Sequence, residues 1–131
     1  MIKVFCDGGA RGNPGPAAVG VVGYDNDNKI FEISKRIGET TNNVAEYTAV
    51  IAALTKLTEV KLLNRIHFSL DSELVVKQLN GEYRVKDIKL KQLYANVMCL
   101  LSKFTDVTFE HTRRKNNSYA DKLVNDALDG Q

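Results

Sequence analysis

The sequence predicts an α/β fold in which helices cover both faces of a mixed sheet. Two observations support this prediction. Short apolar or alternating runs are bounded by Gly, Asn and Asp, as strands are, and the later runs are separated by segments whose apolar residues recur at helical spacing. The predicted order is β-β-β-α-β-α-α-β-α. An opening meander followed by helix-separated strands implies parallel neighbours joined by right-handed crossovers.

The first three strands are predicted to form the meander. Residues 2–6 are a short apolar run, and the sequence Asp7-Gly8-Gly9 is expected to end it in a turn-rich loop. Residues 17–24 and 29–37 are two further strands. Residues 25–28, which are all Asp or Asn, are a hairpin connection between them.

The rest of the chain alternates helices and strands. In residues 43–57 the apolar positions fall on one helical face over four turns, and Thr41 and Asn42 precede them as capping material. The elements predicted after this helix are a strand at 65–70, helices at 72–79 and 89–103, a strand at 107–110 and a helix at 119–128.

Length and composition fit one compact globular domain that spans residues 1–131. The chain is 44% hydrophobic and 26% charged, with a net charge of +2. It has neither the apolar run of about 20 residues that a membrane span needs nor the apolar start of a secretory signal. We therefore expect a monomeric cytoplasmic protein. Cys6 and Cys99 stand among apolar residues and are predicted to be buried.

Four acidic residues stand at the ends of predicted elements, namely Asp7, Glu46, Asp71 and Asp121. Asp7 and Asp71 each directly follow a predicted strand, and sites in open α/β sheets form beyond the carboxyl ends of strands. Glu46 lies on an apolar helix face, where an unpaired carboxylate would cost on the order of several kcal/mol. Converging carboxylates without His or Cys favour Mg²⁺ or Mn²⁺.

Helix capping is the alternative for three of these acids. Taken singly, capping explains each of them better than catalysis does, since acids in a first turn are also favoured by the helix dipole. The candidate caps are Asn43 with Glu46, Ser118 with Asp121, and either Asp71 or Ser72 before the helix that follows them. Asp7 is different, because it ends a predicted strand and precedes two glycines.

Four motifs, in order along essentially the whole chain, resemble the ribonuclease HI family. They are DGGARGNPGP at 7–16, TTNNVAE at 40–46, DSELVV at 71–76 and NSYAD at 117–121. The resemblance implies the ribonuclease H-like five-stranded mixed sheet, with the first three strands antiparallel and the last two parallel to the first. It also implies a metal-dependent endoribonuclease that hydrolyses the RNA strand of RNA/DNA hybrids, independently of sequence, and leaves 5′-phosphate and 3′-hydroxyl ends.

The resemblance further assigns roles to the acids. Asp7 would be shared by two divalent ions, with Glu46 and Asp71 completing one site and Asp121 the other. We expect Mg²⁺, with Mn²⁺ able to substitute. Arg114 matches an Arg that the short, archaeal-type branch carries in the loop before the last acid. We therefore count Arg114 with the catalytic residues and take His111, at a predicted strand end, as structural or as lining the rim of the site.

Substrate contacts are also implied by the resemblance. On the RNA side they are Gly8, Asn13, Thr41, Asn42, Asn43 and Ser72. The segment 81–89 is short, as in the archaeal-type branch without the basic handle, and would offer Arg84, Lys86 and Lys89 to the DNA strand. The alternative for these cations is an ordinary solvated loop and helix start.

Two other functions remain open at the level of sequence. The first is a catalytically weak paralogue that binds nucleic acid, although the presence of all four acids argues against it. The second is a nuclease of the wider superfamily that acts on double-stranded RNA or on junctions. Recognition of shape leaves no base-specific signature that would exclude this second function.

Overall fold

The computed structural model describes residues 1–63 and 65–130, so Gln131, the last residue of the predicted domain, lies outside the described residues. Five strands form one sheet, and they are β1 (Ile2–Ala10), β2 (Gly15–Asp25), β3 (Asn28–Thr40), β4 (Arg65–Leu70) and β5 (Asp106–His111). Four α-helices accompany them, α1 (Asn42–Glu59), α2 (Glu73–Leu79), α3 (Ile88–Leu101) and α4 (Ser118–Leu128), and a 3₁₀ turn, Arg114–Asn117, precedes α4.

The sheet has the strand order β3-β2-β1-β4-β5. Strands β1, β2 and β3 pair antiparallel, whereas β4 pairs parallel to both β1 and β5. The predicted mixed sheet is thereby confirmed. The parallel pairing of β1 with β4 ends at Cys6 and Leu70, so the next residues of the two segments, Asp7 and Asp71, lie side by side.

Strand β1 is longer than predicted. It pairs with β2 through Ala10, so Asp7 lies inside the strand, opposite Gly20, and does not end it. The glycines after Asp7 have turn-like composition, but the antiparallel ladder to β2 overrides that local preference. At the other end of β2, the hairpin to β3 turns at Asn26, which adopts positive φ as tight turns often require.

Helix α1 packs on one face of the sheet and α4 on the other. The buried apolar residues of α1 recur at the spacing that predicted the helix, and they form the main core with β1 and β4. Cys6 is buried in this core, as predicted, but Cys99 is exposed. Leu90 and Val97 lie on the buried side of α3, and Cys99, two positions after Val97, points away from that side.

Among the described residues, no helix combines the length and the apolar character that crossing a bilayer would require.

Helices α1 and α4 each approach a central strand of the sheet at a glycine. A Cβ on Gly8 would lie 2.2 Å from the backbone carbonyl carbon and oxygen of Ala45 in α1. A Cβ on Gly20 would lie 2.2 Å from the carbonyl oxygen of Ala120 in α4. Backbone cannot move aside as a flexible side chain can, so these two glycines set how closely the helices approach the sheet.

We predict that Gly8→Ala lowers the free energy of unfolding by about 2 kcal/mol or more, because the new methyl group pushes α1 away from β1. Gly9→Ala is the matched control, since its Cβ would meet only the Val124 Cγ1 atom at 3.4 Å. Urea unfolding of both variants tests this expectation. Equal stability of the two variants would contradict it.

Candidate active site

Three of the four acids converge at the sheet edge. Asp7 comes from β1, Asp71 directly follows β4, and Glu46 lies in the second turn of α1. Each offers a carboxylate oxygen, and these oxygens lie within 4.8 Å of one another. The convergence predicted from strand ends is therefore present for these three residues.

The three carboxylates are poorly solvated. Asp7 and Glu46 are each 5% exposed, and so is the side chain of Asp71. One oxygen of Glu46 accepts a hydrogen bond from the Gly8 backbone N–H. Within residues 1–63 and 65–130, no hydrogen-bond partner reaches Glu46 Oε2 or Asp71 Oδ2, although both atoms are buried. Such oxygens are costly to bury unless a cation or proton compensates them.

The pKa values of these three acids are raised because their carboxylates are poorly solvated. Burial, and next the charge of Asp71, raise the pKa of Asp7 to about 7. Burial, followed by the charges of Asp7 and Asp71, raises the pKa of Glu46 well above its usual value. Burial also raises the pKa of Asp71, although the Arg114 charge partly opposes it. Without a cation, the cluster therefore retains protons near neutral pH.

The fourth acid, Asp121, lines the same cleft from the first turn of α4 but does not belong to the cluster of three. Its side chain is 36% exposed. Arg114 lies between the two groups, with its Nε atom 3.8 Å from Asp71 Oδ2 and its Nη1 atom 3.9 Å from Asp121 Oδ1. The Arg114 guanidinium thus lies within 4 Å of both acids.

Two of the predicted helix caps are not formed in the structure. Thr41 caps α1 and Ser72 caps α2, each by accepting from a backbone N–H. The proposed capping box of Asn43 with Glu46 is wrong, because the Glu46 carboxylate bonds to β1 instead. The proposed box of Ser118 with Asp121 is also wrong, since Ser118 is already helical and the preceding residue makes no side-chain cap bond. Neither acid is therefore explained by capping.

The predicted substrate residues divide among three surfaces. The acidic cleft, with a volume of about 480 Å³, is lined by Gly8, Asn42, Asn43, Ser72 and Arg114 together with the four acids. An adjoining groove shares Asn43 with this cleft and is also lined by Asn13, Thr41 and Lys89. Arg84 lines a separate depression near Tyr83, and Lys86 is exposed outside these three surfaces. Of these three predicted cations, Lys89 therefore lines the groove that adjoins the acidic cleft, whereas Arg84 and Lys86 do not.

The side chains of Asn13 and Asn42 connect β1 and the loop that follows it to the start of α1. The Asn13 Oδ1 atom accepts from the Asn42 backbone N–H at 3.0 Å, and the Asn42 Oδ1 atom accepts from the Ala10 N–H at 2.8 Å. In both amides the oxygen is engaged within the protein. The NH₂ group is then the part that can donate to a bound ligand.

Three residues near the acids were not assigned a role from the sequence. Arg11 and Asn125 line the acidic cleft, and Asn117 is buried behind it, where its Nδ2 atom donates to the Cys6 carbonyl oxygen at 2.8 Å. The spacing of four residues between Asp121 and Asn125 could have indicated a contact on one helix face. Arg11 offered no comparable signal, because its partners lie more than 100 residues away in sequence.

Comparison with known families gives a consistent result. A family model described as "Reverse transcriptase-like" matches residues 5–127. Ribonuclease HI of Halobacterium salinarum is 42% identical over 129 residues, which cover 98% of this chain and 64% of that protein. The bifunctional protein Rv2228c of Mycobacterium tuberculosis is 42% identical over 135 residues, and the match spans only 35% of its length.

Solved structures agree with the sequence matches. RNase H1 from Halobacterium salinarum is 40% identical in sequence to this chain. Its crystal structure superposes with a TM-score of 0.94, covering 99% of this chain and 98% of that one. LC11-RNase H1, which was isolated from compost, has been solved in complex with an RNA/DNA hybrid. The protein in that complex is 45% identical in sequence to this chain and superposes with a TM-score of 0.94, with 98% of this chain and 97% of that chain covered.

The raised pKa of Asp7 predicts a pH-dependent effect of removing its charge. A carboxyl whose pKa rises from 3.8 to about 7 on folding binds its proton more tightly in the folded state, so its contribution to stability is full below pH 3.8 and is lost as the pH rises through about 7. In the absence of metal, we expect Asp7→Asn to raise the free energy of unfolding by about 1–3 kcal/mol at pH 8, and by less at pH 5.

Urea unfolding in the presence of a chelator at both pH values measures this difference. Asp27→Asn, at the exposed β2–β3 turn, controls for the loss of a carboxylate outside the cluster. A metal-free Asp7→Asn protein that is less stable than the original chain at pH 8 would refute the expectation.

Proposed function

The chain belongs to the ribonuclease HI family, and we propose that it is a metal-dependent endoribonuclease that hydrolyses the RNA strand of RNA/DNA hybrids. The proposed cleavage is independent of sequence and leaves 5′-phosphate and 3′-hydroxyl ends. The observation that carries this proposal is the cluster of Asp7, Glu46 and Asp71, whose oxygens converge within 4.8 Å in a buried position.

The cluster fits a divalent cation. Its donors are all carboxylate oxygens, which are preferred by Mg²⁺ and Mn²⁺, and two of the buried oxygens have no hydrogen-bond partner in the described part of the chain. We propose that two ions bind, with Asp7 shared, Glu46 and Asp71 completing one site and Asp121 the other. When bound, such ions activate the attacking water and stabilise charge on the phosphate and on the leaving 3′ oxygen.

The RNA strand would be recognised through polar groups on both sides of the acids. Asn13 and Asn42 can donate from their NH₂ groups, because their oxygens are held within the protein. Asn43 lines both the acidic cleft and the adjoining groove, which supports a contact between Asn43 and a strand that crosses from one to the other. The 2′-hydroxyls in the wide, shallow minor groove of a hybrid are the groups that distinguish RNA from DNA.

Arg114 would hold a phosphate rather than move a proton. Its side chain is 77% exposed, and its guanidinium lies within 4 Å of carboxylates on both sides of the cleft. A guanidinium keeps its charge at neutral pH, so it cannot act as a general acid or base there. We propose that it orients the scissile phosphate and keeps Asp71 and Asp121 from repelling the strand.

The second strand of the hybrid would run beside the RNA strand and meet Lys89 in the groove that adjoins the cleft. Lys89 lines this groove with Asn13 and Thr41, whereas Arg84 and Lys86 lie farther along the surface. LC11-RNase H1, which has nearly the same fold, binds an RNA/DNA hybrid, and this supports the proposed substrate. We therefore assign the main DNA-strand contact to Lys89.

The test of the function is a panel of end-labelled substrates with Mg²⁺ or Mn²⁺. The panel contains a hybrid, double-stranded RNA, double-stranded DNA and a duplex with one embedded ribonucleotide. We expect cleavage of the hybrid, and a loss of at least about 10³-fold in rate for Asp7→Asn, because the shared ligand is lost. Hybrid binding should survive in that variant.

Each outcome of the panel selects one function. Binding of the hybrid without cleavage under either ion would favour a paralogue that only binds nucleic acid. Preferential cleavage of double-stranded RNA would indicate a different nuclease of the superfamily. Mg²⁺-dependent cleavage that persists in the Asp7→Asn variant would refute the proposed metal ligands.

We predict that Lys89→Ala weakens hybrid binding and reduces the slope of log K against log salt by about 1, because one phosphate contact is lost. Lys103→Ala, which removes an exposed cation just beyond the other end of α3, should leave the slope unchanged. Fluorescence anisotropy over a series of salt concentrations gives both slopes. Equal slopes for the two variants would exclude Lys89 from the interface.

A further inference from the structure

Asp121 is the acid that the sheet does not hold. In the cluster of three, Asp7 lies in β1, Asp71 directly follows β4, and Glu46 of α1 accepts a hydrogen bond from a backbone N–H of β1. Asp121 instead lies in the first turn of α4, and its side chain is partly exposed. Its carboxylate nevertheless has a defined neighbour on its own helix. That neighbour, Asn125, is in turn held by Arg11, and both residues line the acidic cleft.

The contacts form a continuous series. The Asn125 Nδ2 atom donates to the Asp121 carboxylate at 3.3 Å and to the Asp121 backbone oxygen at 3.1 Å. The Asn125 Oδ1 atom accepts from Arg11 Nη2 at 3.2 Å. Arg11 Nη1 donates to Asp129 Oδ1 at 2.7 Å. The guanidinium is therefore anchored to Asp129, one turn beyond Asn125, and orients the Asn125 amide.

Arg11 determines which way the Asn125 amide points. An isolated asparagine can exchange the positions of its oxygen and its NH₂ group by rotating about χ2. In the reversed orientation, the NH₂ group would face the guanidinium and the oxygen would face the Asp121 carboxylate. Both contacts would be repulsive. The pair thus presents a donor to Asp121 and limits the orientations of its carboxylate.

We propose that Arg11 and Asn125 are positioning residues that hold the Asp121 carboxylate ready to bind a divalent ion. This inference rests on the proposed function of the acidic cleft and extends it to two residues outside the acids. Groups that hydrogen-bond to metal ligands and orient them commonly affect metal affinity or activity by 10- to 100-fold when they are lost. The same order of effect is expected here.

The first experiment compares Asn125→Ala with Asp126→Asn. Asp126 also makes a contact over four residues on α4, a 2.8 Å ion pair with Lys122, but it does not line the acidic cleft. We expect Asn125→Ala to weaken Mg²⁺ binding, measured by calorimetry, about tenfold. The Mg²⁺ concentration for half-maximal hybrid cleavage should rise by a similar factor, while kcat at saturating Mg²⁺ stays near the original value.

The second experiment tests whether Arg11 acts through Asn125. Arg11→Gln should weaken Mg²⁺ binding in the original chain but should have no further effect in the Asn125→Ala background. Arg11→Lys, which can still donate to the Asn125 oxygen, should restore most of the affinity. A purely structural role would lower the melting temperature without changing the Mg²⁺ dependence, and that result would overturn the proposal.

Two further outcomes are decisive. If Asn125→Ala and Asp126→Asn bind Mg²⁺ equally well, Asn125 does not position Asp121. If Arg11→Gln raises KM for the hybrid without changing Mg²⁺ affinity, Arg11 contacts substrate directly and its positioning role is wrong. Failure of the unmodified chain to cleave a hybrid would instead refute the proposed function, and calorimetry would still decide whether the two residues support Mg²⁺ binding.

Discussion

The close contact between β1 and α1 at Gly8 determines the rest of the site. The absence of a side chain brings the α1 backbone against the strand, and the Gly8 N–H then bonds to the Glu46 carboxylate. An acid from a helix is thereby brought to the strand that carries Asp7. Both carboxylates are buried, and this burial is the largest cause of the raised pKa values of Asp7 and Glu46.

The cluster is therefore unfavourable in itself and is imposed by the fold. The parallel register that ends at Cys6 and Leu70 brings Asp7 and Asp71 together whatever their charges. The Asn117 amide then ties the start of α4 to the Cys6 carbonyl oxygen, directly before Asp7. Rigid elements can hold repelling groups in this way because the repulsion is small compared with the burial of the core, and such conflicts are typical of functional sites.

The sequence predicted the features that depend on local periodicity and on the general rule for strand ends. The predictions were wrong where contacts between residues far apart in the sequence determine the structure. The adjacency of Asp7 and Asp71 follows from the parallel pairing of β1 with β4, whose last paired residues directly precede these acids. The length of β1 does not, because pairing with β2 overrides the turn-like glycines. A capping role for Glu46 was plausible from the preceding turn alone, but its actual partner, Gly8, lies 38 residues away. The basic residue Arg11 was missed for the same reason.

The charge of the cleft also constrains the order of events in binding. Four carboxylates line it, and Arg11 and Arg114 are the cations among the described residues that do so. Arg11 is already paired with Asp129, so little of its charge is available to a ligand. Above neutral pH, where the cluster has lost its protons, a phosphate strand that approaches this surface meets net negative charge at short range, where repulsion is weakly screened. We therefore expect divalent cations to enter the cleft before the strand or together with it, and metal affinity and hybrid affinity to be coupled.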